Sequence, residues 1–209
     1  MSLVQRWQEL QARPLAFVDP RHLYGCFPEP VEAARIDALA EAPRFHDRLL
    51  TLLMARHGLQ PLAQVPAPQV EDLPVLLLPP AAFARLPRLC GAIWHGATLG
   101  REIRRDTVEY LRKALGPELF ALALAHRQWS GAMDLLRQPD DLLAAIDLDG
   151  ARCVHGWLQR QPPALRDWLR LRLALPLDPA AGTVDPSLVR RVAGLLVPET
   201  EPDTQEMSA

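Results

Sequence analysis

Apolar side chains recur every three or four residues along most of the 209-residue chain, which is the period of an amphipathic helix. The 21 prolines divide this pattern, because each removes an amide donor and clashes with the preceding helical turn. The pattern predicts helices over residues 3–12, 31–42, 44–57, 88–95, 99–115, 117–137, 139–148, 151–159, 164–173 and 187–197. No segment alternates with period two and no repeat of fixed length is visible, which disfavours a β-rich fold and a solenoid.

Closely spaced prolines distinguish residues 59–80 from the rest of the chain. Their spacing excludes a long helix and predicts an extended, polyproline-like linker on the surface, with one short strand over 75–78. The predicted fold class is mainly α, a single irregular bundle of about eight to ten short helices with at most one or two minor strands. This single domain covers residues 1–197, and the acidic tail over 198–209 is predicted to be disordered.

The predicted helix over 99–115 carries an apolar stripe and a basic stripe. The apolar stripe contains Ile103, Thr107, Tyr110, Leu111 and Ala114. The basic stripe contains Arg101, Arg104, Arg105 and Arg112. Acidic residues interleave with these arginines, so the stripe is either a solvated, ion-paired face or a protein-binding surface. We take the four arginines as the candidate partner-binding residues.

Composition and charge argue against several classes of function. Hydrophobic residues make up 49% of the chain and charged residues 23%, and the net charge is −2, so no global positive field favours nucleic acid as a partner. The longest uncharged stretch, 73–84, contains three prolines and is shorter than the ~20 residues of a membrane span. The first residues lack a signal-peptide pattern, and the three cysteines are predicted to be buried thiols in a reducing compartment.

No segment carries a recognisable catalytic motif. The sequence lacks GxSxG, GxGxxG, GxxxxGK[ST] and HExxH, and the five-residue step from Cys90 to His95 separates their side chains on a helix. We therefore expect no catalytic residue, no metal and no cofactor, and we expect that the protein is not an enzyme. Two alternatives stay open: a helical DNA-binding regulator, and a helical enzyme with a site built from scattered histidines and aspartates.

Residues 89–96, Leu-Cys-Gly-Ala-Ile-Trp-His-Gly, followed by Ile103-Arg104-Arg105, resemble the central region of the SctK (YscK, PscK) family of type III secretion proteins. Residues 169–177, LRLRLALPL, are similar to the closing segment of that family. The step between the His-Gly pair and the basic helix is longer here than in the family, by residues 97–100.

The resemblance implies an adaptor of the injectisome sorting platform, located in the cytoplasm at the inner membrane. It would join the cytoplasmic domain of the inner-membrane ring protein SctD to the pod protein SctQ. It would be peripheral to the membrane through the ring, and it would need no cofactor and no nucleic acid.

Overall fold

The computed structural model describes residues 2–27, 31–133, 138–173 and 185–196, and within these ranges it contains helices and turns but no strand. The α-helices are α1 (Leu3–Ala12), α2 (Arg21–Tyr24), α3 (Ala33–Glu41), α4 (His46–His57), α5 (Leu73–Leu76), α6 (Pro80–Trp94), α7 (Gly96–Arg101), α8 (Arg105–Leu115), α9 (Pro117–Ala125), α10 (Pro139–Gln159), α11 (Pro163–Arg170) and α12 (Ser187–Leu196). Short 3₁₀ turns cover Pro14–Phe17, Pro43–Phe45, Leu62–Gln64, Val70–Asp72 and Arg127–Trp129. The predicted mainly α class is confirmed.

Several helix ends follow directly from local chemistry. Ser2 and Gln5 form a capping box at the start of α1, where each side chain accepts the backbone N–H of the other residue. Helix α4 ends at Gly58, which adopts a left-handed conformation with φ 64°. Pro117 opens α9 directly after Gly116. The predicted helix boundaries at Gly58, Gly116 and Pro117 are correct.

The core is built around the crossing of α6 and α10. A β-carbon added at Gly91 would lie 1.9 Å from the carbonyl oxygen of Ile146, and one added at Gly150 would lie 1.8 Å from that of Pro87. Glycine is required at both positions because backbone meets backbone there. The predicted break between 148 and 151 was wrong, as was the predicted start at 88, since both helices continue through the crossing.

A buried carboxylate joins three distant parts of the chain at one edge of this core. Asp72, whose side chain is 2% exposed, accepts hydrogen bonds from Trp157 Nε1 at 2.7 Å and from Gln161 Nε2 at 3.2 Å. It also accepts two from Arg190 of α12, at 2.7 and 2.9 Å. These bonds tie the turn before α5 to α10 and α12.

The segment over 59–80 is not a linker on the surface. It forms 3₁₀ turns and the single-turn helix α5, and it buries Leu62, Val65, Leu73, Val75, Leu76 and Leu78 in the core. The predicted strand over 75–78 was wrong, because Val75 and Leu76 complete α5. The predicted tail over 198–209 lies outside the described residues.

No single helix in the described part of the chain is long and apolar enough to cross a membrane. The segments Val70–Leu76 and Pro80–Trp94 reach that length and composition only together, and they meet at an angle of 107°.

A buried arginine links the N-terminal region to the segment that follows α11. The Arg172 guanidinium lies between the rings of Phe17 and Phe83, at 4.6 and 4.4 Å from their centroids. It donates to the carbonyl oxygens of Leu76, at 2.7 Å, and Leu78. Burial lowers the pKa of Arg172 to about 9, so the side chain remains charged at neutral pH.

Candidate functional site

The four arginines predicted to bind a partner surround a turn between two helices. Arg101 is the last residue of α7, Arg104 precedes the first residue of α8, and Arg105 and Arg112 lie on α8. The prediction of one continuous helix was wrong, because the backbone leaves the helical conformation at Glu102 and Arg104, where ψ is 120° and 116°. The arginines therefore do not form a single stripe.

The turn is closed by an ion pair between Glu102 and Arg104, which we call the Glu102–Arg104 clasp. Glu102 Oε1 accepts the backbone N–H and the Nε–H of Arg104, both at 2.9 Å, and Oε2 accepts from Nη2 at 2.7 Å. The Glu102 side chain is 14% exposed and that of Arg104 is 56% exposed. Hydrogen bonds from the side chain and backbone of Arg104 lower the pKa of Glu102 to about 2, so the clasp stays charged at neutral pH.

Ile103 lies between the two residues of the clasp and is 91% exposed. The prediction placed it on the same apolar stripe as Leu111, which is indeed buried. The prediction for Ile103 was wrong because this residue belongs to the turn and not to α8. An exposed isoleucine alone is ordinary, but this one is held on a short turn with arginines on both sides. The sequence feature that could have indicated this turn is a glutamate and an arginine two positions apart, with an apolar residue between them.

The exposed face of α8 continues this surface with alternating charge. Arg105 donates to Glu109 at 2.9 Å, and both side chains are well exposed, so the pair contributes only about 0.3–0.5 kcal/mol to stability. Arg112 is exposed two turns further along the helix than Arg105. Leu111 and Leu115 bury one side of α8 in the core, and the Tyr110 hydroxyl donates to Asp140 of α10. The charges on this face are therefore presented by a fixed helix.

The start of α7 is held equally firmly, and this fixes the position of the turn. A β-carbon at Gly96 would lie 2.6 Å from the carbonyl oxygen of Ala123 in α9. The Ser130 hydroxyl accepts the backbone N–H of Ala97 at 2.7 Å and donates to the carbonyl of Ile93 at 3.1 Å. Ser130 thus joins α6 to α7 by hydrogen bonds, and α7 packs closely against α9 at Gly96.

The residues considered for catalysis lie in the core. Cys90 is completely buried, and burial raises the pKa of its thiol well above the usual value. His95 Nε2 hydrogen bonds to Asp149 Oδ2 at 3.0 Å, and Asp149 Oδ1 accepts from Arg152 at 3.1 Å. Among the residues that the structure describes, no group of three or more histidine, cysteine or acidic side chains is arranged to hold a metal ion.

Comparison with known proteins gives a partial similarity to two nodulation proteins. The chain is 31% identical over 97 residues to the nodulation protein NolU of Rhizobium fredii, and the same values hold for NolU of Sinorhizobium fredii strain NBRC 101917 / NGR234. The matched part covers 46% of this chain and 45% of each nodulation protein, so the chain spans less than half the length of these curated relatives. No family model matches the chain, and no solved structure matches it.

Proposed function

We propose that this chain is a type III secretion-related adaptor, without enzymatic activity or cofactor, that binds other proteins through the turn between α7 and α8. The partial similarity to the nodulation proteins supports the type III secretion-related role. The resemblance of residues 89–96 to the SctK family supports the finer proposal. The partners would be the cytoplasmic domain of SctD and the pod protein SctQ, and the complex would form in the cytoplasm at the inner membrane.

The observation that carries this proposal is the exposed Ile103 on its clasped turn. Protein interfaces concentrate their binding free energy in a few apolar or arginine side chains that become fully desolvated, with a polar rim around them. Ile103 offers the apolar centre, and the arginines on either side offer such a rim. Because the clasp already orders the turn, the turn would lose little conformational entropy when a partner binds it.

The charge pattern favours a protein partner over nucleic acid. Glu102, Asp106 and Glu109 interleave with the arginines, and their carboxylates would repel a phosphate backbone. A mixed pattern of charges, in contrast, can match a complementary pattern on another protein and fix the register of binding.

The test is isothermal titration calorimetry with SctQ and with the cytoplasmic domain of SctD from the same bacterium. Ile103→Ser is expected to weaken binding of at least one of these partners by about tenfold or more, because it removes the apolar centre. The pair Arg105→Glu and Arg112→Glu, which leaves the clasp intact, is expected to weaken binding of the same partner, while thermal unfolding is almost unchanged, because exposed charges contribute little to stability.

The matched control is the pair Arg127→Glu and Arg160→Glu, which changes the net charge equally at two exposed arginines outside the turn and α8. It should leave both affinities within about twofold of the wild type. Unchanged affinity for both partners in Ile103→Ser and in the Arg105/Arg112 pair would refute the proposal for this surface. Retention on heparin at low salt that the Arg105/Arg112 pair abolishes and the control pair does not would favour the DNA-binding alternative instead.

A further inference from the structure

The N-terminal region contains an apolar groove far from the turn between α7 and α8 in sequence. It is a cavity of about 590 Å³ between the end of α1, the turn at Pro14–Phe17 and helices α2, α3 and α4. Leu23 is buried, and Leu15, Ala40 and Leu50 are half-buried along its walls. This volume lies within the range of about 300–1,000 Å³ that is typical of sites which bury an apolar ligand.

Side-chain hydrogen bonds between the helices hold the groove open. The Tyr24 hydroxyl of α2 donates to Asp37 of α3 at 3.0 Å. His46, the first residue of α4, donates from Nε2 to the carbonyl oxygen of Ala40 at 2.7 Å. These contacts fix the distance of α3 from its two neighbours, so the groove exists before anything binds it.

The charges on the lining are mostly negative. Three carboxylates, those of Asp37, Glu41 and Asp47, are exposed on α3 and α4, and Arg13 is the one arginine among the lining residues. An apolar floor with an acidic rim complements a segment that carries apolar and basic side chains on one face. It disfavours fatty acids, anionic lipids and nucleic acids, whose charge has the same sign as the rim.

We infer that this groove binds an amphipathic helix of a partner protein, with apolar side chains on the floor and lysine or arginine at the acidic rim. The tail of the chain itself is a poor occupant, because residues 198–209 contain four acidic residues and no basic one. The inference goes beyond the proposed function, since it concerns a second surface on other helices. An adaptor that joins two proteins needs two such separate surfaces.

The probe is a synthetic amidated peptide of about 14 residues, with leucines at helical spacing i, i+3, i+4 and i+7 and lysines at the other positions. Binding to the full chain is followed by fluorescence anisotropy. A control peptide keeps the leucines and replaces every lysine with glutamate. We expect binding in the micromolar range for the basic peptide and affinity lower by about tenfold or more for the acidic one.

Two pairs of variants with equal net charge test the location. The double variant Glu41→Lys with Asp47→Lys is expected to lower the affinity for the basic peptide by about tenfold. The control variant Glu118→Lys with Asp141→Lys should change this affinity by less than about twofold. Its two sites are exposed and lie in the first turns of α9 and α10. A third pair tests steric access: Ala12→Trp, at the exposed end of α1, should block the groove, whereas Ala81→Trp on α6 should not.

Three results would overturn the inference. They are equal affinity for the two peptides, equal weakening by both charge pairs, and concentration-dependent self-association that Glu41→Lys with Asp47→Lys abolishes. The last result would make a second copy of this chain the occupant. None of these outcomes depends on SctQ or SctD, so failure here is distinguishable from failure of the proposed function.

Discussion

Replacing Asp72 with alanine should destabilise the protein by about 3 kcal/mol. The change removes the acceptor of four hydrogen bonds, so the buried donors Trp157 Nε1 and Gln161 Nε2 lose their partner. Each buried donor that loses its partner costs about 1–3 kcal/mol. Arg190 adds less, because its side chain is 35% exposed and can turn to water.

The assay is urea denaturation followed by circular dichroism, because Trp157 is itself affected and would distort fluorescence. With a slope of about 2–3 kcal/mol/M, the loss should move the midpoint to lower urea by about 1 M. The control is Glu71→Ala, an exposed acid in the same 3₁₀ turn, which should change stability by no more than about 0.5 kcal/mol. A loss below about 1 kcal/mol for Asp72→Ala would refute the argument.

The pH dependence gives an independent check on Asp72. Desolvation raises its pKa, but hydrogen bonds from Arg190, Trp157 and Gln161 outweigh this, and the pKa lies below the usual 3.8. A carboxylate with a lowered pKa contributes its stability above the unfolded pKa and loses it as pH falls through the folded one. The difference between wild type and Asp72→Ala should therefore be constant down to about pH 4 and shrink only below it. A difference that disappears by about pH 6 would contradict this assignment.

Further predictions concern the core. In urea denaturation, Gly150→Ala should destabilise the chain by about 2 kcal/mol or more, because the added β-carbon clashes with Pro87. Gly194→Ala should stabilise α12 by about 0.5–1 kcal/mol, because a β-carbon there meets nothing within 4 Å. Similar effects of the two substitutions would contradict the packing described. Arg172→Lys should lower the unfolding free energy by about 2 kcal/mol, since an ammonium cannot stack between two rings, and an unchanged midpoint would refute this role. A thiol reagent should label half-buried Cys26 in the native protein but reach Cys90 and Cys153 only after unfolding.

Local signals predicted much of the helical framework. Helix α1 begins and ends where the sequence pattern placed it, and Pro117 and Pro139 open α9 and α10 as expected. These boundaries depend on caps and on proline, which act within one helical turn. They are therefore visible in the sequence without knowledge of the packing.

The errors occurred where distant contacts override local preference. Pro87 and Gly150 suggested helix boundaries, but each lies inside its helix, at the point where the backbones of α6 and α10 meet. The turn at Ile103 was missed for the opposite reason, since nothing in its sequence forbids a helix and the clasp on either side decides the backbone. The groove could not be predicted, because its walls come from segments whose relative placement no local pattern specifies.

The position of Arg172 has a consequence for synthesis on the ribosome. Phe17 and Phe83 emerge early, but the guanidinium that fills the space between them is translated long afterwards. The backbone N–H of Asp19 likewise has its acceptor, the carbonyl oxygen of Leu171 at 2.8 Å, only after that late residue has been translated. The nascent chain therefore carries an incomplete apolar centre until its last third has been made, which gives chaperones a defined interval in which to act.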